Sequence, residues 1–200
     1  MGKRNLENAI VSAKAQFPQA EFEVNWRPFQ LDPNASKEGI NKLQHYNKKF
    51  GEERIKMMLP RMMETFAKVG LPYSMGGLTG NTFDSHRLIY FAAAKGGPAL
   101  QDALVEELFK NYFCEEKYIG DRGVLLQAAI TAGLDKAEAE RVLDDPSAYA
   151  KVRLFRHARQ DQNVPHVGTF LMCVAQDVSI MRSHMPRTTL CGLRATVRAH

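Results

Sequence analysis

At 200 residues, with 44% hydrophobic and 24% charged side chains, the chain has the composition of a globular domain able to bury its own core. A disordered, fibrous or disulfide-scaffolded protein is thereby excluded. The formal charge of +5 and the pI near 9.1 arise from lysines and arginines interspersed with acids, as over 136–141, so a solvated surface is expected and no nucleic-acid partner.

Apolar runs are too short to span a bilayer, Met1-Gly2-Lys3-Arg4 opens no signal-peptide core, and Leu6 stands where a myristoylation signal needs Ser or Thr. A cytoplasmic protein with no membrane partner is the expectation. Leu6, Ala9, Ile10, Ala13 and Phe17 recur at helical spacing and predict an amphipathic helix ending near Pro18. The period then becomes two. Phe22, Val24 and Trp26 alternate with Glu21, Glu23 and Asn25, which predicts a strand with one buried face, closed by Pro28.

Beyond Asp32-Pro33 the texture is helical, with breaks at Gly51, Gly70-Leu71-Pro72, Gly76-Gly77, Gly96-Gly97-Pro98, Gly120, Gly133 and Asp145-Pro146, and about six or seven helices are expected. A Met-rich apolar stripe runs through Ile55, Met58, Leu59, Met62, Met63, Phe66 and Val69 and reads as adaptable core; Pro60 within it should kink or split that helix. Leu88, Ile89 and Ala92 line the next helix, and Leu100, Leu104, Leu108, Phe109 and Phe113 the one after. Asp121 and Asp145 read as N-caps. Residues 169–175 suit a buried strand, whereas 176–200 show no sustained period and carry four arginines against one aspartate.

The three cysteines, Cys114, Cys173 and Cys191, are too far apart for a zinc site or a disulfide framework and read as reduced thiols. A nucleophilic cysteine wants a helix N-terminus or a cation beside it, but Cys114 follows Tyr112-Phe113 at the end of an apolar helix, so an inert, buried thiol is expected. No spacing of His, Cys or carboxylates closes a metal shell. The glycine-rich run 75–81 lacks the lysine of a phosphate-binding loop and reads as an inter-helix connection. Helix capping accounts for Asn81, Thr82 and Asp84. Asn163-Val164-Pro165-His166 marks a turn, where the proline can be cis.

Taken together, Gly2-Lys3-Arg4-Asn5-Leu6, Trp26-Arg27-Pro28-Phe29-Gln30-Leu31-Asp32-Pro33, Gly80-Asn81-Thr82 with Asp84-Ser85-His86-Arg87-Leu88, Leu108-Phe109 with Tyr112-Phe113, and Val164-Pro165 form an ordered set. It resembles the FrnE-type branch of the DsbA-like thioredoxin-fold oxidoreductases, from Gly2 to about His166. A more distant relation to 2-hydroxychromene-2-carboxylate isomerases and kappa-class glutathione transferases is implied.

The resemblance implies an α/β, thioredoxin-like fold with a large all-helical insertion. The expected thioredoxin-like portion is 1–34 and 159–175, the insertion 35–158, and 176–200 a divergent tail. In that family a strand leads into Cys-Pro-Trp-Cys ahead of the Gly-Lys-Arg motif. Here the chain begins at that motif, so the strand and dithiol are expected to be absent, the sheet incomplete, and the strands that would flank the missing one left with open edges that favour self-association into a homo-oligomer.

The implied substrate-binding positions are Val164, Pro165, Arg27 and Pro28, with Pro165 in cis and the Val164 main chain docking a thiol or disulfide peptide or a glutathione-like substrate. No catalytic residue, metal or cofactor is assigned, glutathione being the one expected co-substrate. The expected function is that of a thiol–disulfide oxidoreductase or isomerase family member with impaired or no redox activity. Two alternatives stand beside it, a glutathione-dependent isomerase or transferase and a non-catalytic interaction module.

Overall fold

The computed structural model describes residues 1–30 and 32–145 and the main chain of 174–181. Helix α1 (Gly2–Gln16) buries Ala13 and half-buries Leu6, Ala9, Ile10 and Phe17, the stripe read from the sequence. Strand β1 (Glu21–Pro28) follows and ends on the proline, which has no N–H to extend a ladder. Its even-numbered side chains are the more buried, culminating in Trp26 and Pro28.

The helical portion comprises β2 (Ile40–Asn41), α2 (Lys42–Phe50), α3 (Glu52–Ala67), β3 (Leu78–Thr79), α4 (Phe83–Phe113), α5 (Arg122–Ala132) and α6 (Lys136–Asp144). The two short strands pair antiparallel, Ile40 with Thr79 and Asn41 with Leu78, and tie the start of α2 to the loop before α4. Within α4, Gly96 and Gly97 leave helical geometry, so two helical segments meet where Gly96-Gly97-Pro98 was expected to break the chain. Gly97 adopts φ +69°, a conformation that costs a side-chain-bearing residue dearly.

Strand β4 (Val174–Met181) pairs antiparallel with β1, from Glu21 opposite Met181 to Pro28 opposite Val174. The main core gathers Trp26 with Leu88, Ile89, Leu104, Leu108 and Leu125, so α4 packs against β1 and α5 packs in turn on α4. A smaller cluster of Tyr46, Ile55 and Met75 joins α2 to α3. No helix of the described residues is long and apolar enough to cross a membrane. The α/β architecture with a large helical portion and an incomplete sheet is the one expected.

Several local expectations are corrected. Helix α3 runs unbroken through Pro60, because the proline and Lys56, whose carbonyl loses its partner, both face solvent and water can replace the missing bond. Asp121 caps α5 through the Val124 N–H, as expected, but Asp145 ends α6, and any helix it starts lies outside the described residues. Of the strand expected at 169–175, residues 169–173 lie outside the described residues; β4 covers Val174–Met181 and so crosses into the segment where no period was found. Instead of flanking a gap, β1 and β4 bond directly to each other, and each keeps one open edge among the described residues.

Candidate functional site

The C-terminal end of β1 carries Arg27 and Pro28, opposite Ala175 and Val174 in the ladder. Pro28 is buried and Arg27 half-buried, so of the two only Arg27 offers a side chain to a ligand. Val164 and Pro165, with the expected cis bond, lie outside the described residues. The structure therefore positions two of the four expected substrate residues.

What holds this end of β1 is a set of polar contacts from α4. The Gln101 carboxamide accepts from the Trp26 N–H at 2.9 Å and donates to the Trp26 carbonyl at 2.8 Å, matching one peptide unit of a neighbouring strand. The Trp26 indole donates to Asp102 at 2.9 Å and meets the Phe109 ring edge-on at 6.0 Å. Gln101→Leu leaves two buried main-chain groups unpaired and should cost about 2 kcal/mol, read as a lower urea midpoint with unchanged slope.

Asp102 also anchors α1. The Lys3 ammonium, 7% exposed, lies 3.0 Å from both Asp102 and Glu106 and bonds Glu7, while Arg4 bridges Glu7 and Glu106. Burial alone would push the Lys3 pKa down, but its three carboxylates outweigh that and hold it above the usual lysine value. The Gly2-Lys3-Arg4 string thus works as a charge clamp between the first turn of α1 and the second segment of α4.

The loop after β1 is fastened by Asn81. Its Oδ1 accepts from Gln30 Nε2 and from the Phe83 N–H, both at 2.9 Å, and its amide donates to the Pro33 and Ala35 carbonyls at 3.3 and 3.2 Å. Thr82 occupies the N-cap of α4 without capping through its side chain, so Asn81 takes the role the sequence divided among three residues. Thr82 Oγ1 instead lies 3.4 Å from His86 Nε2.

His86 is 1% exposed, and its Nδ1 has no hydrogen-bond partner. Burial pushes its pKa down to about 4, only partly offset by the Phe29 main chain, so the ring is neutral at pH 7. Next to it, Arg87 donates to Asp84 at 2.9 Å and to the carbonyls of Val142, Leu143 and Asp145, closing the C-terminal end of α6. The Asp-Ser-His-Arg string therefore joins the loop after β1 to the C-terminal end of α6.

Cys114 does not meet the demands of a nucleophile. It is half-buried at the C-cap of α4, where the helix dipole disfavours a thiolate, and burial followed by Glu115 and Glu106 pushes its pKa up. The expectation of inertness agrees with this geometry, although the thiol is less buried than expected. Cys173 and Cys191 lie outside the described residues. Among the described residues no three His, Cys, Asp or Glu side chains are grouped to hold a metal ion.

In the glycine-rich run, a Cβ at Gly77 (φ +78°) would overlap the Glu116 carbonyl, so the loop is shaped for close backbone packing. Nearby, Lys42 is 2% exposed, donates to the Tyr112 carbonyl at 2.8 Å and lies 4.0 Å from the Tyr112 ring centre. Burial pulls its pKa down to about 8, with Glu116 opposing. Sequence reading missed Gln101 and Lys42, and it named Lys3 in the Gly2-Lys3-Arg4 string without its role as a buried clamp. Of the first two, only Gln101 left a trace, as a polar residue beside the Leu100, Leu104, Leu108 stripe.

No curated protein matches the chain. The sequence model of the DSBA-like thioredoxin domain matches residues 1–177, a span that includes the charge clamp of α1, the Gln101-braced strand β1 and strand β4 as far as Asp177. With this match over most of its length and an α/β structure to accompany it, the chain belongs to the DSBA-like thioredoxin domain family.

Proposed function

We propose that this chain has the scaffold of an FrnE-type thiol–disulfide oxidoreductase or isomerase and that residues 1–200 by themselves carry impaired or no exchange activity. The observation that carries the second half is the setting of Cys114, with its thiol pKa raised at the C-terminal end of a helix. None of the three cysteines is spaced as a Cys-x-x-Cys pair, so no dithiol is available to be oxidised by a substrate disulfide and re-reduced. The substrate class proposed is a thiol or disulfide peptide or a glutathione-like tripeptide, held at Arg27 and Pro28 with Val164 and Pro165. The protein works in the cytoplasm, where reduced thiols persist.

Reduction of insulin disulfides by dithiothreitol is the test. Met1–His200 should add nothing to the uncatalysed rate, and C114A/C173A/C191A should behave identically. Placing a strand ending in Cys-Pro-Trp-Cys ahead of Gly2 should raise the rate by about tenfold or more, since a thiolate at the N-terminus of a helix is stabilised by the dipole. A strong rate from Met1–His200 that vanishes in C114A overturns the proposal.

A non-catalytic binding role is the second reading, and the edge of β1 that is open among the described residues favours it.

A further inference from the structure

A cleft of about 280 Å³ runs between α1 and β1 and is closed at one end by the start of the second segment of α4. Leu6, Ile10, Phe22, Val24 and Pro98 give it an apolar floor. Around that floor stand Glu7, Glu23 and Asp102. Lys3 and Arg4 already bond Glu7, and Lys3 and the Trp26 indole bond Asp102, so with Glu106, the clamp's other acid, four carboxylates stand against two cations. On a chain of formal charge +5 this is a locally negative groove, so its charge selects for a cationic occupant.

The same cleft borders an incomplete ladder. Main-chain groups of alternate residues point to opposite edges of a strand, and both of Trp26's point to Gln101, away from β4. Phe22 and Val24, in phase with Trp26, therefore turn their N–H and C=O groups toward that same edge, where β1 has no strand neighbour among the described residues. Gln101 covers the Trp26 position of the edge and leaves Phe22 and Val24, besides Pro28, which has a carbonyl but no N–H to offer. Phe22 and Val24 also line the cleft.

We infer that this groove is a docking site for an extended peptide segment of alternating basic and apolar residues, which adds to the open edge of β1 beside Gln101. Its main chain bonds Phe22 and Val24, its apolar side chains enter the cleft, and its lysines or arginines, on the other face of the added strand, meet Glu23. An acidic or fully apolar segment satisfies only part of this set. The inference goes beyond the exchange chemistry proposed above and involves no thiol.

The test uses the full chain and a fluorescent, N-acetylated, C-amidated heptapeptide alternating lysine and valine, with a glutamate–valine counterpart as control. The lysine peptide should bind about tenfold or more tightly than the glutamate one, and Glu23→Lys should weaken it about fivefold while leaving the circular dichroism unchanged. Methylating alternate peptide nitrogens on one edge should abolish binding, whereas methylation on the other edge should not. Hydrogen exchange at Phe22 and Val24 should slow when the lysine peptide is added. Equal binding of the two charge forms, or indifference to which edge is methylated, overturns the inference. So does slow exchange at Phe22 and Val24 before any peptide is present, which assigns the edge to this chain or to a second copy of it.

Discussion

Replacing Arg87 by methionine should lower the unfolding free energy by about 4 kcal/mol, roughly a 2 M fall in the urea midpoint. The guanidinium is 7% exposed and spreads its donors over Asp84 and three carbonyls at the end of α6. Methionine fills much of the volume but donates nothing, so those carbonyls lose their partner together with the helix-end charge. Arg87→Lys keeps a charge without the fork and should fall between, at about 2 kcal/mol. Because Arg87 joins the start of α4 to the end of α6, the loss should appear first as faster hydrogen exchange in α6. A change below about 1 kcal/mol would show that this carbonyl cluster is held by other groups.

Stability should also rise as pH increases from 8 and reach its maximum between pH 9 and 10. Lys42 has a folded pKa near 8 against an ordinary value of 10.5. Below 8 both states hold the proton and the folded state bears the full penalty of burying it. Between 8 and 10.5 the unfolded state holds more protons, so raising the pH favours folding, by about 3 kcal/mol if Lys42 acted alone.

Buried tyrosines set the upper limit. Burial pushes the Tyr73 phenol up to about 12 and raises those of Tyr46 and Tyr112 as well. Above pH 10 the unfolded state loses tyrosine protons that the folded state keeps, and stability falls. On the acid side, His86 acts in the direction of Lys42, its lowered pKa removing stability as the pH drops from 6.5 toward 4. Urea midpoints from pH 7 to 10.5 check this: Lys42→Met should abolish the rise and keep the fall. A rise that persists in Lys42→Met would place its origin elsewhere.

Much of the fold was legible because its signals are local. The stripe of α1, the alternation of β1, its stop at Pro28 and the break at Gly96-Gly97 each depend on residues within a few positions of one another. Pro60 was misread because its cost depends on whether the freed carbonyl can reach water, which only burial decides. Asn81 was read as one cap among three, whereas its value lies in also holding Gln30, Pro33 and Ala35, about fifty residues earlier in the chain.

The family was readable from the sequence alone, through the Trp-Arg-Pro-Phe and Asp-Ser-His-Arg-Leu strings and their order, as was the wide spacing of Cys114, Cys173 and Cys191 within residues 1–200. Tertiary structure alone decided that β1 pairs with β4, that Gln101 braces Trp26 from 75 residues away, and that Lys42 is buried against Tyr112 from 70 residues away. The reason is physical. Periodicity and turn chemistry are properties of neighbours in sequence, but a polar group far along the chain meets its partner only after the core has packed, and a single Gln or Lys looks the same in sequence whether buried or solvated.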